Sequence, residues 1–129
     1  PRVIPEMVKP LLDLASQADI YLITQLPEDT DETERATLAA LTDAELFGQG
    51  RCDVRKALFC STEDGRAAMA RQILPATHID NAVKVIEYLA PHVGSAVCVH
   101  IDRPAIKTTK GSVQSVATLA EYVGGIIEG

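Results

Sequence analysis

The sequence predicts an α/β fold: a mostly parallel sheet of about four or five strands, with helices on both faces. Amphipathic helical segments alternate along the chain with short apolar runs that are typical of buried strands. Each crossover between successive strands is long enough to permit parallel pairing. The chain has 129 residues, of which 47% are apolar, which is the usual size and composition of one globular domain. We therefore expect residues 1–129 to form a single domain.

Five segments carry apolar residues at helical spacing. In the first, Pro5 suits the opening turn, and Pro10 is expected to kink the helix. Acidic residues precede the second, and the segment Ser61 to Asp64 has the pattern of a cap that opens the third. The predicted helices cover residues 5–18, about 31–45, from this cap through 74, 81–89, and a closing helix marked by Val116, Leu119, Ala120, Val123 and Ile127.

Four apolar runs between these helices predict the strands. They cover residues 20–24, 57–60, 76–80 and 95–101, and a polar loop is expected from Asp102 to Gly111. The carboxyl ends of parallel strands meet at one edge of a sheet, where α/β folds bind ligands. Functional side chains are therefore sought just after each run.

Charge and composition exclude several classes of function. Twelve Lys and Arg against 18 Asp and Glu give a net charge of −6, which disfavours binding to a nucleic-acid backbone or to anionic lipid. Trp is absent, and Phe and Tyr number two and three, so base-stacking platforms lack material. No apolar run is long enough to span a bilayer. We expect no nucleic-acid partner.

The three cysteines predict a reducing compartment. Cys52, Cys60 and Cys98 form neither a CxxC pair nor an even disulfide set. Cys60 and Cys98 lie in apolar runs and are expected to be buried. Cys52 lies in a glycine-containing polar segment and is expected to be an exposed, reactive loop thiol.

One motif points to an enzyme. Asp29 and Asp31 belong to the letters DxDxT, the nucleophile and acid pair of haloacid-dehalogenase-type phosphatases that use Mg²⁺. In that chemistry the first Asp must emerge directly from a buried strand, whereas four residues separate Asp29 from the predicted strand end at Thr24. An acid-rich helix start explains the same letters, and we favour this interpretation.

Two His-x-Asp pairs lie near strand ends, His78 with Asp80 and His100 with Asp102. Alternation along a strand puts both side chains of each pair on one face. A metal site needs three or four convergent ligands, and a catalytic Cys–His pair, for which Cys60 is the candidate, needs an exposed thiolate. Structural roles at strand ends are therefore favoured over a site.

A longer pattern resembles a known family. The stretch ALFCSTEDGR at residues 57–66, the letters ARQILP at 70–75 and the letters HID at 78–80 are similar in order and spacing to the peroxin-22 signature, and the similarity extends from residue 3 to about 88. The resemblance implies a Rossmann-like three-layer sandwich that binds no cofactor and performs no catalysis. It implies a membrane anchor and co-activator of a peroxisomal ubiquitin-conjugating enzyme, working in receptor recycling during matrix protein import.

The resemblance also implies a place in the cell. We expect a domain that faces the cytosol at the membrane of the peroxisome or a related organelle. Because the chain begins at Pro1, we expect a fragment whose N-terminal membrane segment and linker lie outside this sequence.

The helix that follows Ser61 is the expected partner-binding surface, through Glu63, Asp64, Arg66 and Arg71. Arg66 and Arg71 are five residues apart and cannot fully share one helix face. One of them can hold a carboxylate such as Asp80 inside the domain while the other faces a partner. The sequence leaves open which arginine does which.

Overall fold

The computed structural model describes residues 3–99 and 113–128 of this chain. Contacts between Cα atoms divide the chain into two compact units. Unit 1 comprises residues 1–62 with 123–129, and unit 2 comprises residues 63–122. Each unit contains parallel strands and helices, so the α/β class that the sequence predicts is confirmed.

Unit 1 contains a two-stranded parallel sheet. Its main elements are α1 (Pro5–Ala15), β1 (Leu22–Gln25), α2 (Asp31–Asp43), a short 3-10 helix (Val54–Lys56) and β2 (Ala57–Cys60). The register of the ladder pairs Leu22 with Ala57 and Gln25 with Cys60. Pro10 is buried within α1, and Pro5 opens that helix without loss of a backbone hydrogen bond.

The start of α2 is fixed by threonine side chains. The hydroxyl of Thr30 accepts a hydrogen bond from the backbone N–H of Thr33, and the Thr33 hydroxyl oxygen accepts one from the N–H of Thr30. This reciprocal cap satisfies two donors that a helix start otherwise leaves unpaired. Three acidic residues follow in the first turn, where the helix dipole favours negative charge. The helix therefore begins at Asp31, as the sequence predicts.

The segment between α2 and the 3-10 helix corrects one prediction. Cys52 is 1% exposed, so it is not the exposed loop thiol that its polar neighbours suggest. The N–H of Cys52 donates to the carbonyl of Leu46 at 2.8 Å, and its carbonyl accepts from the N–H of Gly48 at 3.1 Å. These bonds close the segment into a tight loop that turns the thiol inward. Burial raises the pKa of Cys52, which makes it a poorer nucleophile.

Unit 2 contains a three-stranded parallel sheet in the order β3–β4–β5. Its elements are α3 (Glu63–Ile73), β3 (Thr77–Asp80), α4 (Val83–Leu89), β4 (Ser95–Val99) and β5 (Val113–Val116), followed by α5 (Leu119–Glu128), whose residues from 123 onward are assigned to unit 1. Central β4 buries Ala96, Val97 and Cys98, and Ile86 and Ala90 pack in the same core. Apolar strands of this kind suit a position with neighbours on both sides.

The C-terminal part differs from the sequence-based expectation in one element. Val116, expected in the closing helix, is the last residue of β5, and α5 begins at Leu119. Val113 and Val116 are three residues apart, a spacing that also fits one turn of a helix. Four residues are too few to show the alternation of side chains that is typical of a strand. The predicted strand over 95–101 ends at Val99 within the described residues, and the predicted loop 102–111 lies outside them.

Candidate partner-binding site

Helix α3 carries all four of the residues expected to bind a partner. Glu63 and Asp64 lie exposed in its first turn, whereas Arg66 and Arg71 are half-buried. At about 100° per residue, the two arginines lie roughly 140° apart around the helix axis. The structure therefore places them in two different environments.

Arg66 is part of a buried polar network at the end of β3. Its Nη2 lies 3.2 Å from Oδ1 of Asp80, whose side chain is 5% exposed. Nε2 of His78 lies 3.0 Å from Oδ2 of the same carboxylate. Because an ionised carboxylate only accepts hydrogen bonds, this contact requires the His78 proton on Nε2. The backbone N–H of Ala82 donates to Oδ1 at 2.9 Å.

The groups around Asp80 favour the ionised form of its carboxyl group, although the side chain is buried. Loss of water around the carboxyl group would by itself raise its pKa. The hydrogen bonds from His78 and Ala82 and the positive charge of Arg66 outweigh this effect, so the pKa of Asp80 lies below its ordinary value. The ion pair joins α3 to the end of β3, and thereby fixes the orientation of α3 within unit 2.

A cleft of about 310 Å³ lies between α3 and α4, on the far side of α3 from Arg66. Its α3 wall carries the small side chains Ala67 and Ala68, which leave the space that forms the cleft. The remaining lining residues are Glu63 and Asp64 from α3 and Lys84, Val85 and Tyr88 from α4. Two of the four predicted residues, Glu63 and Asp64, thus border this cleft.

Tyr88 is the aromatic residue of the cleft, and its side chain is half exposed. Its ring lies 6.0 Å from the ring of His92, at an interplanar angle of 59°, which restricts its rotation from one side. Exposed, partly fixed tyrosines are frequent anchors at protein interfaces. Tyr88 and Lys84 are not among the residues that the sequence predicts for this face. The sequence signal that could have identified them is their spacing. They lie four residues apart on one face of α4, away from the buried Ile86 and Leu89.

Arg71 lies one turn beyond Ala67 and Ala68, on the same stripe of α3 as the cleft wall. Among the residues that the structure describes, no carboxylate forms an ion pair with Arg71, in contrast to Arg66. The helix ends two residues later, at Ile73, and Leu74 follows as a residue that is 59% exposed.

The DxDxT letters occupy the start of α2. Asp29 is exposed in the turn before the helix, and Asp31 is the first residue of α2. Three residues separate Asp29 from Gln25, the last residue of β1. The threonine of the motif, Thr33, uses its hydroxyl in the helix cap and in a 2.7 Å hydrogen bond to the carbonyl of Glu28. The structure thus gives these residues the helix-start role that we favoured.

The two His-x-Asp pairs have different outcomes. His78 and Asp80 form the network described above, while His100 and Asp102 lie outside the described residues. Cys60 is buried in unit 1, and its Sγ lies 3.8 Å from the carbonyl oxygen of Thr24. Within residues 3–99 and 113–128, no three His, Cys, Asp or Glu side chains are arranged to hold a metal ion.

Comparisons with known proteins agree with the resemblance seen in the sequence. The family model described as Peroxisome biogenesis protein 22, Haloacid dehydrogenase-like domain matches residues 6–122. Peroxisome biogenesis protein 22 of Arabidopsis thaliana is 31% identical over 116 residues, which cover 90% of this chain and 40% of that protein. Over the described ranges, no helix has both the length and the apolar character needed to cross a membrane. The chain belongs to the peroxisome biogenesis protein 22 family.

Proposed function

We propose that this chain is a non-catalytic adaptor, which binds, anchors and activates a peroxisomal ubiquitin-conjugating enzyme for receptor ubiquitination and recycling. Membership of the peroxisome biogenesis protein 22 family carries the proposal. The chain spans 40% of the length of the curated relative that it matches. In this proposal the domain faces the cytosol at the peroxisomal membrane and takes no cofactor.

The cleft between α3 and α4 is the proposed docking face. Glu63 and Asp64 supply charge at one end of it, and Tyr88 supplies an aromatic anchor on the opposite wall. Arg71 extends the same face beyond the cleft, whereas Arg66 is assigned to positioning α3 through Asp80. A face of this kind, with an aromatic anchor and a charged rim, has the anatomy of a protein interface.

The phosphatase alternative has less support from the geometry. A haloacid-dehalogenase-type nucleophile must stand at the end of a buried strand, and Asp29 instead stands exposed in the turn before α2. The experiment that separates the two functions is phosphate release from a general phosphoester with Mg²⁺. Turnover that disappears in Asp29→Asn, at an unchanged melting temperature, would replace the adaptor proposal.

Binding is tested by calorimetry with the purified peroxisomal ubiquitin-conjugating enzyme. The wild-type chain should bind it and accelerate ubiquitin discharge from it. Tyr88→Ala should weaken binding at least tenfold, which corresponds to about 1.4 kcal/mol, because truncating an aromatic anchor commonly costs more than 1 kcal/mol. Its melting temperature should change little, since the ring is half exposed.

Charge on the acidic rim is tested by Glu63→Lys with Asp64→Lys. The matched control is Asp31→Lys with Glu32→Lys, which also reverses two exposed acidic residues in the first turn of a helix, but in α2. We expect the rim variant to bind more weakly and the α2 variant to bind as the wild type does. Absence of binding by the wild-type chain would overturn the adaptor proposal, and equal loss in both variants would move the interface away from this cleft.

A further inference from the structure

Leu74 has a backbone conformation that leucine rarely adopts. Its φ is +51°, in the left-handed region, where the Cβ of an L-residue approaches the next carbonyl oxygen. The following residue is Pro75, which restricts the backbone of its predecessor further. The residue is nonetheless 59% exposed, so this apolar residue gains little from burial in the fold.

Glu45 shows how the fold itself can require such a conformation. Its φ is +59°, and the residue after it, Leu46, is fully buried. The carbonyl of Glu45 also accepts a hydrogen bond from the Arg51 guanidinium at 3.1 Å. Here the strained turn places a large side chain in the core.

At Leu74 the fold requires the turn but not the leucine. The N–H of Leu74 donates to the carbonyl of Ala70 at 3.1 Å and so ends α3, a position at which glycine is the common residue. Glycine would make the same backbone hydrogen bond without steric cost. The fold of this unit therefore gives little reason for a leucine rather than a glycine at this position.

Arg71 is a charged residue near the same end of α3. It lies in the last turn of the helix, three positions before Leu74, which directly follows the last helical residue, Ile73. Arg71 is half-buried, and its guanidinium pairs with no carboxylate among the described residues. A guanidinium of this kind is suited to bidentate pairing with a carboxylate on another molecule.

We infer that Leu74 and Arg71 form a docking anchor for an apolar pocket that is bordered by a carboxylate, on the surface of the ubiquitin-conjugating enzyme. This inference rests on the proposed function, because it names the chemistry of that partner's surface. Arg71 continues the stripe of Ala67 and Ala68, so the anchor extends the α3–α4 cleft along one face. The leucine fills the pocket, and the arginine pairs with the carboxylate at its rim.

The test uses Leu74→Gly with calorimetry and thermal melting. Glycine relieves the backbone strain, so the melting temperature should stay the same or rise, while affinity for the enzyme should fall at least tenfold. Glu45→Gly is the matched control, since it relieves the same backbone conformation elsewhere and should leave affinity unchanged. Leu74→Asn, which tolerates the left-handed region, should reproduce the loss of affinity.

A second readout isolates the arginine. Arg71→Gln should weaken binding severalfold and reduce its dependence on salt concentration, because a charge pair is screened by salt. If the wild type binds and Leu74→Gly binds within twofold of it, the anchor is refuted and the adaptor proposal stands. If Leu74→Gly melts below the wild type, the leucine serves the fold and the inference is overturned. A wild-type chain that does not bind the enzyme overturns both.

Discussion

The network around Asp80 makes the sharpest prediction about stability. The substitution Asp80→Asn keeps the volume of the side chain and one oxygen that can accept from the N–H of Ala82. It removes the negative charge that Arg66 and His78 contact at 3.2 and 3.0 Å. The Arg66 guanidinium then lies within unit 2 without its counter-ion. The free energy of unfolding should therefore fall, although the volume of the side chain at position 80 is unchanged.

The magnitude follows from the burial of the two partners. Removing one member of a fully buried pair costs about 3–5 kcal/mol. The Arg66 side chain is 18% exposed and keeps some contact with water, so the expected loss is lower, about 2–3 kcal/mol. For a chain of this size that loss corresponds to a fall in melting temperature of roughly 6–12 °C. Differential scanning calorimetry at neutral pH measures it directly.

The control is Asp13→Asn, which removes a carboxylate from an exposed pair. Asp13 binds Lys9 at 2.9 Å across one turn of α1, with the lysine side chain 86% exposed. Pairs of this kind contribute about 0.3–0.5 kcal/mol, so its melting temperature should change by no more than roughly 2 °C. If Asp80→Asn changes as little as Asp13→Asn, the buried network does not stabilise the fold as we argue.

The same network predicts a pH dependence with a definite sign. The pKa of Asp80 is lower in the folded chain than its ordinary value near 3.9. The stabilisation by its charge is therefore present in full above about pH 5 and is lost as the pH falls through the folded pKa, below about pH 4. The gap in melting temperature between the wild type and Asp80→Asn should shrink between pH 7 and pH 3. A constant gap would show that the charge is not its cause.

Three further predictions concern local structure. Thr30→Ala removes the cap of α2 and should cost about 1 kcal/mol in thermal denaturation, whereas Thr30→Ser should not; equal melting of both would contradict the cap. Gly94→Ala would place a Cβ 2.9 Å from the backbone oxygen of Ala76, so the free energy of unfolding in urea should fall by about 1–3 kcal/mol, and a wild-type midpoint would show that the contact relaxes. All three thiols are buried and should resist alkylation until the protein unfolds, so rapid labelling of native Cys52 would contradict its burial.

Elements that depend on local chemistry could be predicted from the sequence. Strand β2 spans the predicted residues 57–60, and α2 begins at the predicted Asp31. The first follows from a short apolar run and the second from Thr30 and the acidic residues after it, and both signals are local. The alternation of such elements was sufficient to predict the α/β class, because parallel strands require the crossovers between them.

Features that depend on backbone hydrogen bonds formed only in the folded chain could not be predicted in the same way. The segment around Cys52 contains Gly48 and Gly50, which indicate a loop, but not the backbone bonds that turn its thiol inward. Strand β5 is defined by its ladder to β4, in which Val113 pairs with Ala96. Four residues of mixed polarity carry no strand period by themselves, so the partner strand decides the structure. Neither the hydrogen bonds around Cys52 nor the partner strand of β5 is indicated by the residue pattern of the segment itself.

In the candidate site, one helix, α3, shows both a feature that the sequence predicts and a feature that only the fold reveals. Helical spacing alone showed that Arg66 and Arg71 must lie on different faces, but only the fold shows which face meets Asp80, since that carboxylate comes from the end of β3. The buried ion pair then orients α3. If Arg66 moved away from Asp80, a buried charge would lose its ion-pair partner, which costs free energy. As a result, Ala67 and Arg71 are presented on a fixed stripe of α3. For the proposed docking face, a fixed stripe would lower the entropy lost on binding, so the internal pair would act on affinity without touching the partner.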